Sequence, residues 1–227
     1  MRYCIALVKP WNEAAFERWR ERLPGEWIVL RRREELTLAA LQSIQPRFVF
    51  LPHWSWRMPD DVVAAFDCVC FHMTDVPYGR GGSPLQNLVL RGHSDTTLSA
   101  LRMVHELDAG PVYLKRPLSL DGSAGEIFER AADLIMDMAS EIVATEPRPQ
   151  PQVGTPTLFE RRQPHQSELP RGGSAASLYD FIRMLDAEGY PNAFLDWGEH
   201  RLRFTEAKLV DGRLTATVSV SPMDGER

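Results

Sequence analysis

Short apolar segments alternate with amphipathic ones along the first two thirds of the chain, and this alternation constrains the fold most. Apolar runs of strand length lie at residues 2–9, 27–30, 47–51, 68–71, 96–104 and 111–120. Helical spacing of apolar residues recurs at 13–22, 36–44, 59–66, 83–91 and 123–144. The alternation predicts an α/β fold with a doubly wound, mostly parallel sheet and helices on both faces.

The last part of the chain has a different pattern. A segment with Pro and two Gly residues at 167–174 is the predicted linker, and a helix is expected at 175–188. Three strands with hairpin turns follow, at 194–197, 201–209 and 214–220. We therefore expect a main domain at 1–170 and a small α+β subdomain at 171–227. So short a subdomain holds little core of its own, so it should pack on the main domain or on a second subunit of a homodimer.

Composition excludes several classes of protein. The net charge of −5 disfavours a nucleic-acid partner, and no apolar stretch approaches the roughly 20 residues of a membrane helix, so neither partner is expected. Cys4, Cys68 and Cys70 all fall in apolar runs, which is typical of reduced thiols in a cytoplasmic protein. The spacing of Cys68 and Cys70 is wrong for a zinc pair, and no metal is predicted.

The stretch at 71–84 is the best candidate for a site. His72 follows directly after the apolar run at 68–71, and a glycine-rich loop with one arginine comes shortly after it. Glycine permits positive φ and a close approach of backbone to a ligand. The alternative interpretation is a turn-rich connection with a buried, hydrogen-bonded histidine.

Three predicted strands end in polar segments. Residues 47–51 lead to His53, 68–71 lead to His72, and 96–104 lead to a loop that contains Asp108. Open α/β sheets bind ligands beyond the carboxyl ends of their strands, so we expect these segments to converge. A histidine and an aspartate held together there form a general acid/base pair.

These motifs resemble the formyltransferases that use N10-formyltetrahydrofolate. That family carries an Asn-x-His-x-Ser signature, followed by an Arg-Gly step and a Pro, and later by an Asp-x-Gly loop. Residues 72–84 and 108–110 fall on this pattern, and 181–183 and 190–194 look like the segments that open the family's C-terminal part. Residues 52–56 and 72–84 look most like the sugar-nucleotide N-formyltransferase branch, in particular enzymes on the way to nonulosonic acids such as pseudaminic acid.

The resemblance implies transfer of a formyl group from N10-formyltetrahydrofolate to the amine of a nucleotide-linked amino-sugar. His72 and Asp108 would be catalytic. The resemblance implies a cofactor site formed by Trp56, Met58, Val104, His105, Leu107 and Asp108. It implies a substrate site formed by His53, Trp54, Asp75, Tyr78, Gly79, Arg80, Gly81 and Gly82. Packing for the tryptophans, a turn for Asp75 and a surface position for Arg80 remain the alternatives.

One departure from the family pattern concerns the oxyanion donor. Cys70 stands where the family has its asparagine, and a thiol is a poor donor. Asn87 is the candidate replacement and His53 is another; the alternatives are an ordinary helix-surface amide for Asn87 and a loop residue for His53. A methionyl-tRNA formyltransferase, a glycinamide ribonucleotide formyltransferase and a catalytically silent relative are the alternative functions. The acidic net charge and the short tail disfavour the first of these, and Cys70 favours the last.

Overall fold

The computed structural model describes residues 1–223 and separates the chain into two compact units. The first unit comprises Met1–Pro84, Thr96–Leu118 and Phe128–Phe159, and the second comprises Leu85–Asp95, Ser119–Ile127 and Glu160–Arg227. The predicted domain boundary at 170/171 stays a prediction, and the last residues of its second domain, 224–227, lie outside the described part.

The observed elements follow the predicted order. The strands are β1 Arg2–Ala6, β2 Glu26–Leu30, β3 Val49–Leu51, β4 Cys68–His72, β5 Arg80–Gly81, β6 Asp95–Arg102, β7 Val112–Ser119, β8 Leu158–Phe159, β9 Ala193–Trp197, β10 His200–Val210 and β11 Arg213–Pro222. The helices are α1 Pro10–Trp19, α2 Leu38–Ile44, α3 Asp60–Ala65, α4 Pro84–Leu90, α5 Ala124–Thr145 and α6 Ala175–Arg183. The two-residue strands β5 and β8 were not predicted, because they are too short to show any periodicity.

A six-stranded sheet forms the centre of the first unit, in the order β2-β1-β3-β4-β6-β7. Neighbouring strands from β2 to β4 run parallel, whereas β6 runs antiparallel to β4, with His72 opposite Ser99. The predicted mostly parallel α/β sheet is therefore confirmed. Its direction reverses at the strand that leads towards Asp108.

Side chains alternate between the two faces of this sheet, as a strand period of two requires. On one face, Cys4, Val49 and Cys68 pack with Leu41 of α2 and Val62 of α3 in a buried apolar cluster. On the other face an aromatic layer forms: the rings of Trp27 and Phe50 stack at 5.3 Å, and Phe16 of α1 lies 6.3 Å from Trp27. Helices thus cover both faces, which explains why the central strands read as continuous apolar runs.

The second unit holds a separate antiparallel sheet in the order β11-β10-β9, against which α6 packs. Ser174 caps α6 by accepting a hydrogen bond from the Ser177 N–H at 3.1 Å. Asp211 and Gly212 both have positive φ, +49° and +75°, as a tight hairpin turn between two antiparallel strands requires. The predicted helix and three strands are all found here.

None of the helices within residues 1–223 is both long enough and apolar enough to span a membrane.

Candidate functional site

His72 is the last residue of β4 and is only 7% exposed. Its Nε2 lies 2.7 Å from the Gly79 carbonyl oxygen, and the Thr74 hydroxyl lies 3.4 Å from the same oxygen. A carbonyl oxygen only accepts hydrogen bonds, so Nε2 carries a proton. The ring orientation is thereby fixed, and Nδ1 is left as the nitrogen that can exchange a proton.

Asp108 faces that second nitrogen. Its Oδ2 lies 3.5 Å from His72 Nδ1 and accepts a hydrogen bond from the Gly81 N–H at 2.9 Å. The side chain of His72 is 8% exposed and that of Asp108 12%. The structure thus brings together the imidazole and the carboxylate that the sequence placed in one site, both almost entirely shielded from solvent.

The path by which Asp108 reaches His72 differs from the expected one. Because β6 is antiparallel to β4, the end of β6 lies beside the start of β4, where the Met103 N–H donates to the Cys68 carbonyl at 2.8 Å. The following loop must therefore return along β4 to bring Asp108 to His72. Convergence at the carboxyl edge of parallel strands is the wrong reason for this meeting, since sequence periodicity does not encode strand direction.

Cys70 precedes His72 by two residues in β4, so the two side chains point to the same face of the sheet. In the sheet Cys70 pairs with Leu51 of β3 and Leu101 of β6. Burial, and after it the negative charge of Asp108, raise the pKa of the Cys70 thiol. The group is therefore a neutral thiol rather than a reactive thiolate. It can act near an oxyanion only as a weak donor.

The glycine loop after His72 packs against the chain itself. A Cβ at Gly79 would lie 2.7 Å from the Phe159 ring, and a Cβ at Gly81 would lie 2.3 Å from the Phe159 carbonyl oxygen. Both residues have positive φ, and β5 pairs with β8 in parallel at this point. The glycines therefore allow a close approach of this loop to β8, whereas the sequence predicted a close approach to a substrate.

Arg80 makes its contacts inside the protein. Its Nε and Nη2 donate to Gln152 Oε1 at 3.0 and 2.8 Å, and its Nη1 lies 3.3 Å from Glu106 Oε1. Sequence reasoning missed Gln152, which lies in the Pro/Gln run at 147–152. The one signal in the sequence was a polar side chain in an extended segment. Such a side chain needs hydrogen-bond partners once it is partly buried.

The remaining predicted substrate residues of this loop also have protein partners. Asp75 Oδ1 lies 2.5 Å from Lys115 Nζ, and the Tyr78 ring packs edge-on to Phe159 at 5.4 Å. The Gly82 N–H donates to the Phe159 carbonyl at 3.0 Å.

The loop after β3 contains a compact aromatic group. His53 Nδ1 lies 3.1 Å from Trp11 Nε1 and 2.9 Å from Asn12 Oδ1, and burial together with the charge of Lys9 lowers the pKa of His53 to about 3. His53 is therefore a neutral ring near pH 7. Its Nε2 is shielded from solvent and has no hydrogen-bond partner within residues 1–223.

The predicted cofactor residues divide into buried and exposed ones. The rings of Trp54 and Trp56 meet edge-on at 4.9 Å, and Trp56 is 39% exposed. Met58 is buried in the apolar cluster under α2 and α3. The other four lie on the loop after β6: Val104 and Leu107 are exposed, His105 Nε2 lies 2.7 Å from Arg57, and Asp108 faces His72.

Asn87, predicted as a replacement oxyanion donor, belongs to the second unit. Its Nδ2 donates to the Glu160 carbonyl at 3.0 Å, and its Oδ1 accepts from Arg91 at 2.8 Å. The structure therefore uses both ends of this amide within the second unit.

The site of the first unit can exchange a proton between an imidazole and a neighbouring amine, with a carboxylate that stabilises the charged ring. The arrangement defines an α/β protein with a buried His–Asp pair, supported by a loop in which backbone and side chains are tightly paired.

A solved structure of a methionyl-tRNA formyltransferase from Clostridium thermocellum superimposes with a TM-score of 0.94 and is 41% identical, covering 98% of this chain and 99% of that one. The methionyl-tRNA formyltransferase of Halorhodospira halophila is 32% identical over 159 residues, which are 66% of this chain and 50% of that protein. The chain thus spans about half the length of the curated relatives it matches. The family model described as the C-terminal domain of methionyl-tRNA formyltransferase matches residues 164–221.

A likely sugar N-formyltransferase from Mycobacterium tuberculosis has a TM-score of 0.69 at 17% identity and covers 87% of this chain and 92% of that one. At that identity the likeness shows the fold alone. The chain belongs to the formyltransferase family, and the family predicted from the sequence is confirmed.

The predicted sugar-nucleotide branch is wrong, because the relatives with high identity are methionyl-tRNA formyltransferases. The motif at 72–84 gave a wrong indication of the acceptor. Arg80 binds Gln152 and Asp75 binds Lys115, so neither side chain identifies the substrate that accepts the formyl group. The same comparisons contradict the prediction that the chain has no nucleic-acid partner. That prediction used the net charge, which sums over the whole chain and does not describe the charge of any one surface. The tail taken as too short matches a methionyl-tRNA formyltransferase domain.

Proposed function

We propose that this chain is a folate-dependent N-formyltransferase that transfers a formyl group from N10-formyltetrahydrofolate to the amino group of methionyl-tRNA. The observation that carries the proposal is the 41% identity, over nearly the whole of both chains, to a methionyl-tRNA formyltransferase. The buried His72–Asp108 pair, at 3.5 Å, supplies groups suited to the chemistry.

The reaction needs proton transfer and charge stabilisation. The acceptor amine attacks the formyl carbon, a C–N bond forms and a tetrahedral oxyanion develops. When this intermediate collapses, the bond between the formyl carbon and folate N10 breaks, and the proton lost by the amine goes to N10. His72 would carry that proton, and Asp108 would stabilise the ring while it is charged.

The predicted cofactor residues stay a proposal within this function. Trp56, Val104 and Leu107 are the exposed apolar members of the set and offer surface for an aromatic ring system. Met58 is buried, so it would support the site from beneath rather than touch the cofactor.

A cytoplasmic location is part of the same proposal, because all three cysteines are free thiols.

A test compares acceptors with one formyl donor. The purified chain is given N10-formyltetrahydrofolate labelled in the formyl carbon, together with methionyl-tRNA, free methionine, glycinamide ribonucleotide or a UDP-4-amino-sugar. Label should enter methionyl-tRNA and none of the small amines. Label in the amino-sugar with methionyl-tRNA untouched would overturn the proposal.

A second candidate function is a catalytically silent folate-binding relative, which Cys70 favours because it replaces the donor of the family signature. Measurable binding of the folate without turnover on any acceptor would establish it in place of the transferase.

A further inference from the structure

We propose that Gln152 is a positioning residue that holds the Asp108 carboxylate against His72. The proposal rests on the function proposed above, because Asp108 matters only if the His72–Asp108 pair carries a proton. It concerns a residue in the Pro/Gln run at 147–152, outside the motifs that mark the family.

Both ends of the Gln152 amide are used. Nε2 donates to the Asp108 carbonyl and to the Gly110 carbonyl, each at 2.8 Å, while Oε1 accepts from Arg80 Nε and Nη2. The side chain has two donors and one doubly accepting oxygen, so its capacity is filled. Turning the amide over would place its oxygen against two carbonyls and its NH₂ against a cation, so one orientation is enforced.

The loop that Gln152 grips needs such support. Asp108 has φ of +52°, a left-handed conformation that costs a non-glycine residue free energy and persists only where its surroundings enforce it. At the other end of the loop, a Cβ on Gly110 would lie 1.7 Å from the Arg102 carbonyl oxygen, so the backbone is pressed against β6. Gln152 binds the two carbonyls at these two points.

The same short strand, β5, fixes the carboxylate from its other side. Arg80 points its guanidinium at Gln152, and the next residue, Gly81, donates its N–H to Asp108 Oδ2 at 2.9 Å. β5 is in turn held by its pairing with β8 and by the Arg80 N–H bond, at 2.9 Å, to the carbonyl of Thr157, the residue before β8. Main chain and side chain of Asp108 are therefore both bound to one rigid frame, and Gln152 is the link on the main-chain side.

The first test reads the position of the carboxylate without any assay of activity. Hydrogen exchange at the Gly81 N–H is compared in wild type, Gln152→Leu, Asp108→Ala and Gln150→Leu. Asp108→Ala gives the exchange rate of the Gly81 N–H when its carboxylate acceptor is absent. Gln150 is exposed and lies in the same segment, and its side-chain Nε2 donates to the Arg148 carbonyl, so it is the matched control. Gln152→Leu should exchange about tenfold faster than wild type, and Gln150→Leu should match wild type.

The second test asks whether Gln152 acts through Asp108. Gln152→Leu should lower kcat on the order of 10²-fold with KM for the folate unchanged, because it misplaces the carboxylate that stabilises the His72 ring while the ring carries the proton. In an Asp108→Asn background the same substitution should cost no further rate. A merely structural role would instead add its full effect in both backgrounds. If Gln152→Leu does not fold, both tests are repeated with Gln152→Met, whose side chain is similar in length to glutamine.

Two outcomes would overturn the proposal: Gly81 exchange equal in Gln152→Leu and wild type, or losses of rate that multiply in the double variant. If wild type shows no turnover with any acceptor, the proposed function fails, and the exchange comparison still decides the position of Asp108.

Discussion

At the scale of single residues, three side chains define the candidate site: His72, Asp108 and Cys70. His72 and Asp108 meet as the sequence predicted, but Asp108 arrives on a loop that returns along β4 and does not follow a parallel strand. Cys70 stands in place of the asparagine of the signature, and its thiol is neutral. In the proposed function, the pair supplies the groups that move a proton, and Cys70 offers an oxyanion only a weak donor.

Removal of either member of the pair should abolish most activity. His72→Ala loses the proton carrier, and Asp108→Ala loses the charge that stabilises it, so kcat should fall by about 10²–10⁴-fold. Formyl transfer to methionyl-tRNA is the measurement, and unchanged thermal unfolding is the control. Wild-type rates in either variant would show that the pair is not the catalytic one.

Restoring the family residue should speed the reaction. Cys70→Asn introduces an amide donor, and a single oxyanion donor is worth about 10²–10³ in kcat. We expect kcat to rise, by less than that full amount, because the sheet around Cys70 has adjusted to a smaller side chain. Cys68→Asn is not a useful control, since Cys68 lies in the apolar cluster. Cys70→Ala is the control, because it adds no hydrogen-bond donor, and its kcat should not rise above the wild-type value. A fall in kcat in Cys70→Asn, with the chain still folded, would mean that another group binds the oxyanion.

At the scale of elements, the sequence predicts strands and helices well and their directions poorly. The apolar alternation located the main strands because burial on both faces leaves a continuous run, whereas nothing in the run at β6 distinguishes an antiparallel strand from a parallel one. The β5–β8 pair escaped prediction because it depends on Phe159 meeting Gly81 across a long stretch of chain. Gln152 was missed for the same reason: its partners are distant in sequence and it shows no periodicity.

The β5–β8 pair gives a prediction about two glycines. Gly81 and Gly92 both have positive φ, +110° and +77°, but a Cβ meets the Phe159 carbonyl at the first and open space at the second. Gly92→Ala should therefore cost only the conformational strain, about 1–2 kcal/mol, and Gly81→Ala clearly more. Urea unfolding measures both free energies. Equal losses would mean that β8 moves aside at no cost.

At the scale of the whole molecule, the interior of the first unit is strongly apolar and resists charge. Cys4 is fully buried, and burial raises its pKa to about 11; Cys68 behaves alike, with a pKa of about 12. Burial also raises the pKa of Tyr113 to about 12. Each of these acids keeps its proton in the folded chain at a pH where the unfolded chain has lost it.

Stability should therefore fall at alkaline pH. Above the ordinary thiol pKa of about 9 the unfolded state binds fewer protons than the folded state, so the free energy of unfolding decreases as pH rises towards 11–12. Urea unfolding at pH 8 and at pH 10.5 measures the slope. Cys4→Ala should make the slope shallower. A slope that is the same in that variant would show that the Cys4 thiol ionises in the folded state as it does in a free chain.

The short pairing of β5 with β8 has a consequence for how the chain can be cut. The long stretch up to the end of α5 contains every strand of the six-stranded sheet, yet the carboxamide at 152 and the edge that meets Gly81 come afterwards. A protease that nicked the proline-rich segment between α5 and Gln152 should therefore leave the six-stranded sheet folded and loosen the contacts that hold the Asp108 loop and β5. The sheet and the support of the His72–Asp108 pair depend on different stretches of the chain, and cleavage can remove the second without the first.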